Sequence, residues 1–170
     1  MSGTSAMYER PERFTAGAIG EPGERVFYVQ ATEQGATVTL RLEKTQVGAL
    51  AQYLAELLAD LPPVDEADQP APDDLELQEP VVPEWIVGGI GVAFDEGRDR
   101  MLVTFQELVP EDAPEDSGST VSVLATRDQC MAFVRRAAEL LAAGRPPCHL
   151  CGRPLDPEGH TCIKTNGKLH

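Results

Sequence analysis

Val38, Leu40 and Leu42 alternate with Thr37, Thr39 and Arg41, which is the period of a strand with one face buried. A different rhythm follows at once. Val47, Leu50, Ala51, Leu54, Leu57 and Leu58 fall at the three-and-four spacing of an amphipathic helix, predicted from about Thr45 to Leu61. Upstream, apolar segments near Phe14–Ile19 and Val26–Ala31 read as two more strands. Glu21-Pro22-Gly23 and Gln34-Gly35 supply the turns between the three.

The same order returns further on. Strands are predicted near Trp85–Val92, Met101–Leu108 and Thr120–Leu124. Thr126 followed three residues later by Gln129 is a capping box opening a second helix. That helix stops at Gly144 and Pro146-Pro147. Its apolar stripe is Cys130, Phe133, Val134, Ala137, Leu140 and Leu141, which is the first stripe displaced by 83 positions. Gln46 and Glu56 map onto Gln129 and Glu139 at that same displacement. The pattern therefore predicts an internal duplication. A lone three-stranded sheet with one helix leaves an open edge, so two copies that pair bury both cores better. The expected fold class is α+β: a duplicated β-β-β-α repeat forming an antiparallel sheet with two helices on one side.

Composition adds boundaries. Residues 60–84 carry nine acidic residues, six prolines and no Lys or Arg, and residues 110–118 carry four more unopposed acids. The net charge of −14 thus sits in two loops, since the remaining 15 acids face 14 basic residues. Such runs read as solvated linker. The expected layout is an N-terminal extension over 1–12, a first repeat over 13–61, an acidic linker over 62–84, a second repeat over 85–144 and a tail over 145–170. Acidic loops repel phosphate backbones, so nucleic acid is not the expected partner. No apolar run has the length of a membrane span, and Met1 to Arg13 is too polar for a signal peptide. A cytoplasmic location is expected.

The chemistry in the chain is concentrated in its tail. Cys148 and Cys151 form a Cys-x-x-Cys pair, and eight residues separate Cys151 from His160-Thr161-Cys162. Cys148, Cys151, His160 and Cys162 make a complete tetrahedral set for Zn²⁺, with His149 and His170 as rivals for the imidazole. A closed four-ligand site leaves no position for water or substrate, so the zinc is expected to be structural. Metal binding would supply the folding energy of a segment with so little apolar content. Cys130 belongs instead to a helical apolar stripe and reads as core.

Three runs carry a family resemblance: Arg13-Phe14-Thr15-Ala16-Gly17 through Glu21-Pro22-Gly23, Leu42-Glu43-Lys44, and Gly144-Arg145-Pro146-Pro147-Cys148 through Gly159-His160-Thr161-Cys162. The chain resembles an uncharacterised family of bacterial repeat proteins, typical of high-GC Gram-positive bacteria and classed as a domain of unknown function. The resemblance implies a cytosolic two-repeat protein with a C-terminal zinc-binding segment and no established activity. In the family's tail prolines flank the cysteines, where this chain has His149 and Ile163-Lys164.

Catalytic constellations are scarce. Every histidine (His149, His160, His170) lies in the metal segment or just beyond it, so no Ser-His-Asp set can be drawn. The Gly17/Gly20 and Gly88/Gly91 pairs lie on predicted strands rather than opening helices, and read as bulges or close packing. The expected function is a non-enzymatic interaction or regulatory module with a protein partner and a structural zinc site. The turn near Glu21 is a candidate recognition loop. The alternative is a small-molecule-binding protein or enzyme with its site where the repeats join, near Glu43, Lys44 and Arg127.

Overall fold

The alternating segments of the first half pair as a meander, and those of the second half do the same. The structure is a computed structural model describing residues 3–21, 23–61, 75–114 and 117–143. In chain order the elements are β1 (Ser5–Tyr8), β2 (Arg13–Ile19), β3 (Val26–Glu33), β4 (Ala36–Leu42) and α1 (Lys44–Ala59). They are followed by β5 (Val87–Asp95), β6 (Arg100–Glu107), β7 (Thr120–Thr126) and α2 (Arg127–Ala143). The protein is α+β, with two helices and two sheets.

The expected single antiparallel sheet is corrected to two. One has the order β2-β3-β4 and the other β1-β7-β6-β5. The reason lies at their edges. Ser5–Tyr8, expected to be a mere extension, pairs in parallel with β7 and fills the edge that a continuous sheet would have used. The residues leading into β5 play the matching part on the other sheet. Ile86 bridges Arg41 in parallel, Trp85 O accepts from Arg41 N, and Glu84 N donates to Thr39 O. Tyr8 ends close to this junction, and burial, with Glu84 and Glu33 nearby, raises its phenol above the ordinary value.

Helices cross over in the same manner. α2 lies chiefly on β2, and α1 lies on β5. The helices also pack together and share one core with the inner faces of both sheets. Phe14, Ala16, Val29, Leu40, Leu50 and Leu54 from the first half meet Met101, Val103, Phe105, Cys130 and Phe133 from the second. Each large side chain so buried contributes about 1.5–3 kcal/mol. Gly48, in the second turn of α1, has Leu141, near the end of α2, beside it, so the helices run antiparallel.

Both helix starts behave as their residues require. Glu43 caps α1 in a capping box with Gln46. At α2, Gln129 N donates to Thr126 Oγ1 at 3.1 Å while Gln129 Oε1 accepts from Thr126 N at 3.0 Å. These bonds satisfy amides that have no partner within the first helical turn.

The outer face of β2-β3-β4 is polar and covered. Thr15, Gln30 and Thr39 line up across the three strands, with Thr32 in the next row, and all four are at least 95% buried. Residues 75–80, from the end of the acidic stretch, run over them as a strap. Leu75 is buried there, and Leu77 rests on Gly17, where a Cβ would come within 2.3 Å of Leu77 Cγ.

Candidate functional site

An apolar cleft opens where α1 crosses β5. Its volume is about 500 Å³. Gln46, Ala49, Leu50 and Tyr53 form the helical wall, and Gly88 to Val92 form the strand side. Among the described residues, no carboxylate, amine, guanidinium, imidazole or thiol lines it. β5 is the last strand of its sheet, so beyond Val87 the edge facing away from β6 has no strand partner among the described residues. Tyr53, 58% exposed, stands over the opening.

Three glycines shape the strand, each differently. The register shifts between Val87 and Gly89, leaving Gly88 in a bulge where a Cβ would lie 2.8 Å from Leu108 Cα. Gly88 is therefore demanded by packing. Gly89 is tight as well, with Gln106 Oε1 at 3.1 Å from its would-be Cβ. Gly91 is not tight, because nothing lies within 4 Å of the corresponding point. A strand glycine costs about 0.5–1 kcal/mol relative to alanine. Gly91 bears that cost although no neighbour lies close enough to require it.

The opposite crossing, α2 over β2, shows what a filled version looks like. Gln46 Nε2 donates to Val87 O at 3.1 Å, and Gln129 Nε2 donates to Pro11 O at 2.7 Å. There the likeness ends. Arg136, which the 83-residue displacement matches to Tyr53, turns inward and donates from Nε to Ala16 O at 3.4 Å. Phe133 stacks on Phe14 beside it. One crossing is thus plugged by its own helix and the other is left open.

The residues expected to carry chemistry fall as follows. Cys148, Cys151, His160 and Cys162 lie outside the described residues, as do Pro22 of the recognition turn and Gly144. Among the described residues no group of three His, Cys, Asp or Glu could hold a metal ion. Cys130 is fully buried, and burial pushes its thiol up to about 12. Glu43 serves as a helix cap, as its place between strand and helix suggests. Glu43 and Lys44 do not converge with Arg127, because the antiparallel helices put the start of α1 beside the end of α2. Arg127 instead pairs with Asp99 Oδ1 at 2.6 Å and stacks over the Phe94 ring at 5.6 Å.

Sequence reasoning missed the cleft. One signal was present: Tyr53 is a large aromatic on the polar side of the first helical stripe, where packing does not call for it. Residues 6–162 match the family described as protein of unknown function, DUF3090. No curated protein and no solved structure matches the chain.

Proposed function

We propose that this chain, which belongs to the DUF3090 family of proteins of unknown function, is a non-enzymatic interaction module that docks a protein partner in the cleft between α1 and β5. The observation that carries the reading is an apolar cleft, free of acid–base groups, set against an unpaired strand edge. An extended segment of the partner adds along β5 by main-chain hydrogen bonds, with its small apolar side chains against Leu50 and Ile90. Tyr53 supplies the kind of rigid, amphipathic contact that interfaces favour.

The body that presents this cleft is read as a duplicated β-β-β-α unit. Matching helix stripes, matching caps and the reciprocal helix crossings support that reading. Cys148, Cys151, His160 and Cys162 hold a structural Zn²⁺ in a C-terminal knuckle, which offers a second contact, and the protein works in a reducing cytoplasm.

A second reading has its own support. A volume of about 500 Å³ lies within the range of small-molecule pockets. A photo-crosslinking residue placed at position 53 separates the two. Capture of one protein at stoichiometric yield, lost in Gly91→Val, supports docking. A small molecule retained in native mass spectra and lost in the same variant replaces docking by ligand binding. No capture and no retained molecule sinks both.

A further inference from the structure

The strap over the outer face of β2-β3-β4 is held in an unusual way. Among the described residues, the first backbone–backbone hydrogen bond joining this stretch to the sheet is from Glu84 N to Thr39 O. Side chains of the sheet do the holding instead. Gln30 Nε2 donates to Gln78 O at 3.0 Å, and Gln30 Oε1 accepts from Gln78 N at 2.8 Å. One amide thus reads both main-chain groups of one strap residue. Thr37 donates to Gln78 Oε1 at 2.9 Å and Thr32 to the same oxygen at 3.3 Å, so the glutamine side chain is read as well. Thr15 Oγ1 donates to Leu75 O, and Arg13 Nη2 to Glu76 O. Gln30 and Thr15 are at least 98% buried, and Gln30 is held further by Thr39 Oγ1 at 3.0 Å.

These contacts have the chemistry of peptide recognition. A bidentate amide fixes the main chain of the strap at one residue. The gap over Gly17 accepts a leucine side chain that any Cβ there would displace. Leu75, Leu77 and Gln78 are the residues the face holds. The strap seats Leu77 on Gly17, yet its main chain is held by polar side chains of the sheet rather than by a strand edge.

We infer that the outer face of β2-β3-β4 is a peptide-binding site, occupied in cis by Leu75–Gln78, that accepts a Leu-x-Leu-Gln segment of a partner protein when the strap lifts. This surface is distinct from the α1/β5 cleft and stands or falls independently of it. The strap is tethered at both ends, so it competes at the high effective concentration of an intramolecular ligand. An incoming segment must either outbid it or arrive when the strap is released.

The probe is the synthetic peptide Asp-Asp-Leu-Glu-Leu-Gln-Glu-Pro, labelled at its N-terminus. Against the wild-type chain, binding should be weak. In Leu75→Ser/Leu77→Ser/Gln78→Ala the cis occupant is weakened, and affinity for the peptide should rise about tenfold or more. Adding Gln30→Ala to that variant should remove most of the gain, about tenfold again. A folded strap variant that binds the peptide no better than wild type overturns the proposal. Amide exchange in the wild-type chain tests it without any substitution. Gln78 N–H should exchange through a local opening at least about a hundredfold faster than the amides of β3. If Gln78 exchanges only with global unfolding, the strap is a fixed part of the fold and the site does not exist. Strap exchange between two copies, seen as a concentration-dependent dimer lost in the strap variant, would assign the face to self-association and overturn the partner form.

Discussion

Phe14 of β2 and Phe133 of α2 stack with their ring centroids 4.6 Å apart and their planes within 12°. One ring comes from each half of the chain, so this pair fastens α2 across the boundary between them.

Either ring is almost wholly shielded from solvent, and truncation leaves a cavity that the surrounding β-sheet cannot fill. Phe14→Ala and Phe133→Ala should each lower stability by about 3–5 kcal/mol in urea unfolding. The double variant should cost less than the sum, by about 0.5–1.5 kcal/mol, because the stacking is lost only once.

Gln34 and Gly35 link β3 to β4 as a two-residue loop, and both have positive φ, 52° and 82°. That is the type I′ geometry that suits the strand twist, and asparagine tolerates it better than glutamine. Gln34→Asn should stabilise by about 0.5 kcal/mol. Gly35→Ala should destabilise by about 1 kcal/mol or more. Thermal unfolding of the two variants should therefore shift in opposite directions.

The glycines of β5 should separate in the same assay. Gly88→Ala forces a Cβ against the backbone of Leu108 and should cost about 1–3 kcal/mol. Gly91→Ala meets open space, so it should be neutral or stabilising by up to about 1 kcal/mol. An equal loss at both positions would show that Gly91 is needed by the fold and is not reserved for a partner.

Alkaline pH should expose the buried thiol. Burial raises Cys130 to about 12, so the folded state keeps its proton where the unfolded chain, near 9, releases it. The unfolded state binds fewer protons across that window, and stability must fall as pH rises through it. The thiol's contribution is complete below pH 9 and declines between about pH 9 and 12, with a slope approaching 1.4 kcal/mol per pH unit. Cys130→Ala should flatten this part of the pH–stability curve relative to wild type. A thiol reagent at neutral pH should label Cys130 only at the rate of unfolding.

Zinc content tests the tail. The purified chain should carry about one Zn²⁺, lost in Cys148→Ser/Cys151→Ser. Competition between His160→Ala and His149→Ala for zinc retention should identify the imidazole ligand. Since the body has its own core, removing the metal should leave the far-UV spectrum of the helices largely unchanged.

Periodicity made most elements legible in the sequence. The alternation Thr37–Leu42 and the stripes beginning at Val47 and Cys130 correspond to β4, α1 and α2, because burial on one face imposes those periods on the residues. Thr126 and Gln129 made the second capping box readable from their spacing alone. Two features were not readable. Ser5–Tyr8 is short, exposed on most residues and without apolar alternation, and it is a strand only because β7 offers it an edge. Leu75 to Gln78 looked like the end of a charged linker, because what holds them is a set of buried Thr and Gln side chains on other strands. The cleft was hidden for a similar reason. Gly88 and Gly91 look alike in sequence, and only the neighbours of each distinguish a bulge from an empty seat.

The reciprocal crossings have a consequence for assembly. Each half lends its leading segment to the last strand of the other and lays its helix on the other's first strand. Each half thus completes its sheet edge and its helix packing with segments of the other, as two segment-swapped subunits would. Cutting between residues 62 and 74 would convert an intramolecular fold into a bimolecular one. Its stability would then depend on concentration, as it does for any pair of subunits that fold only together.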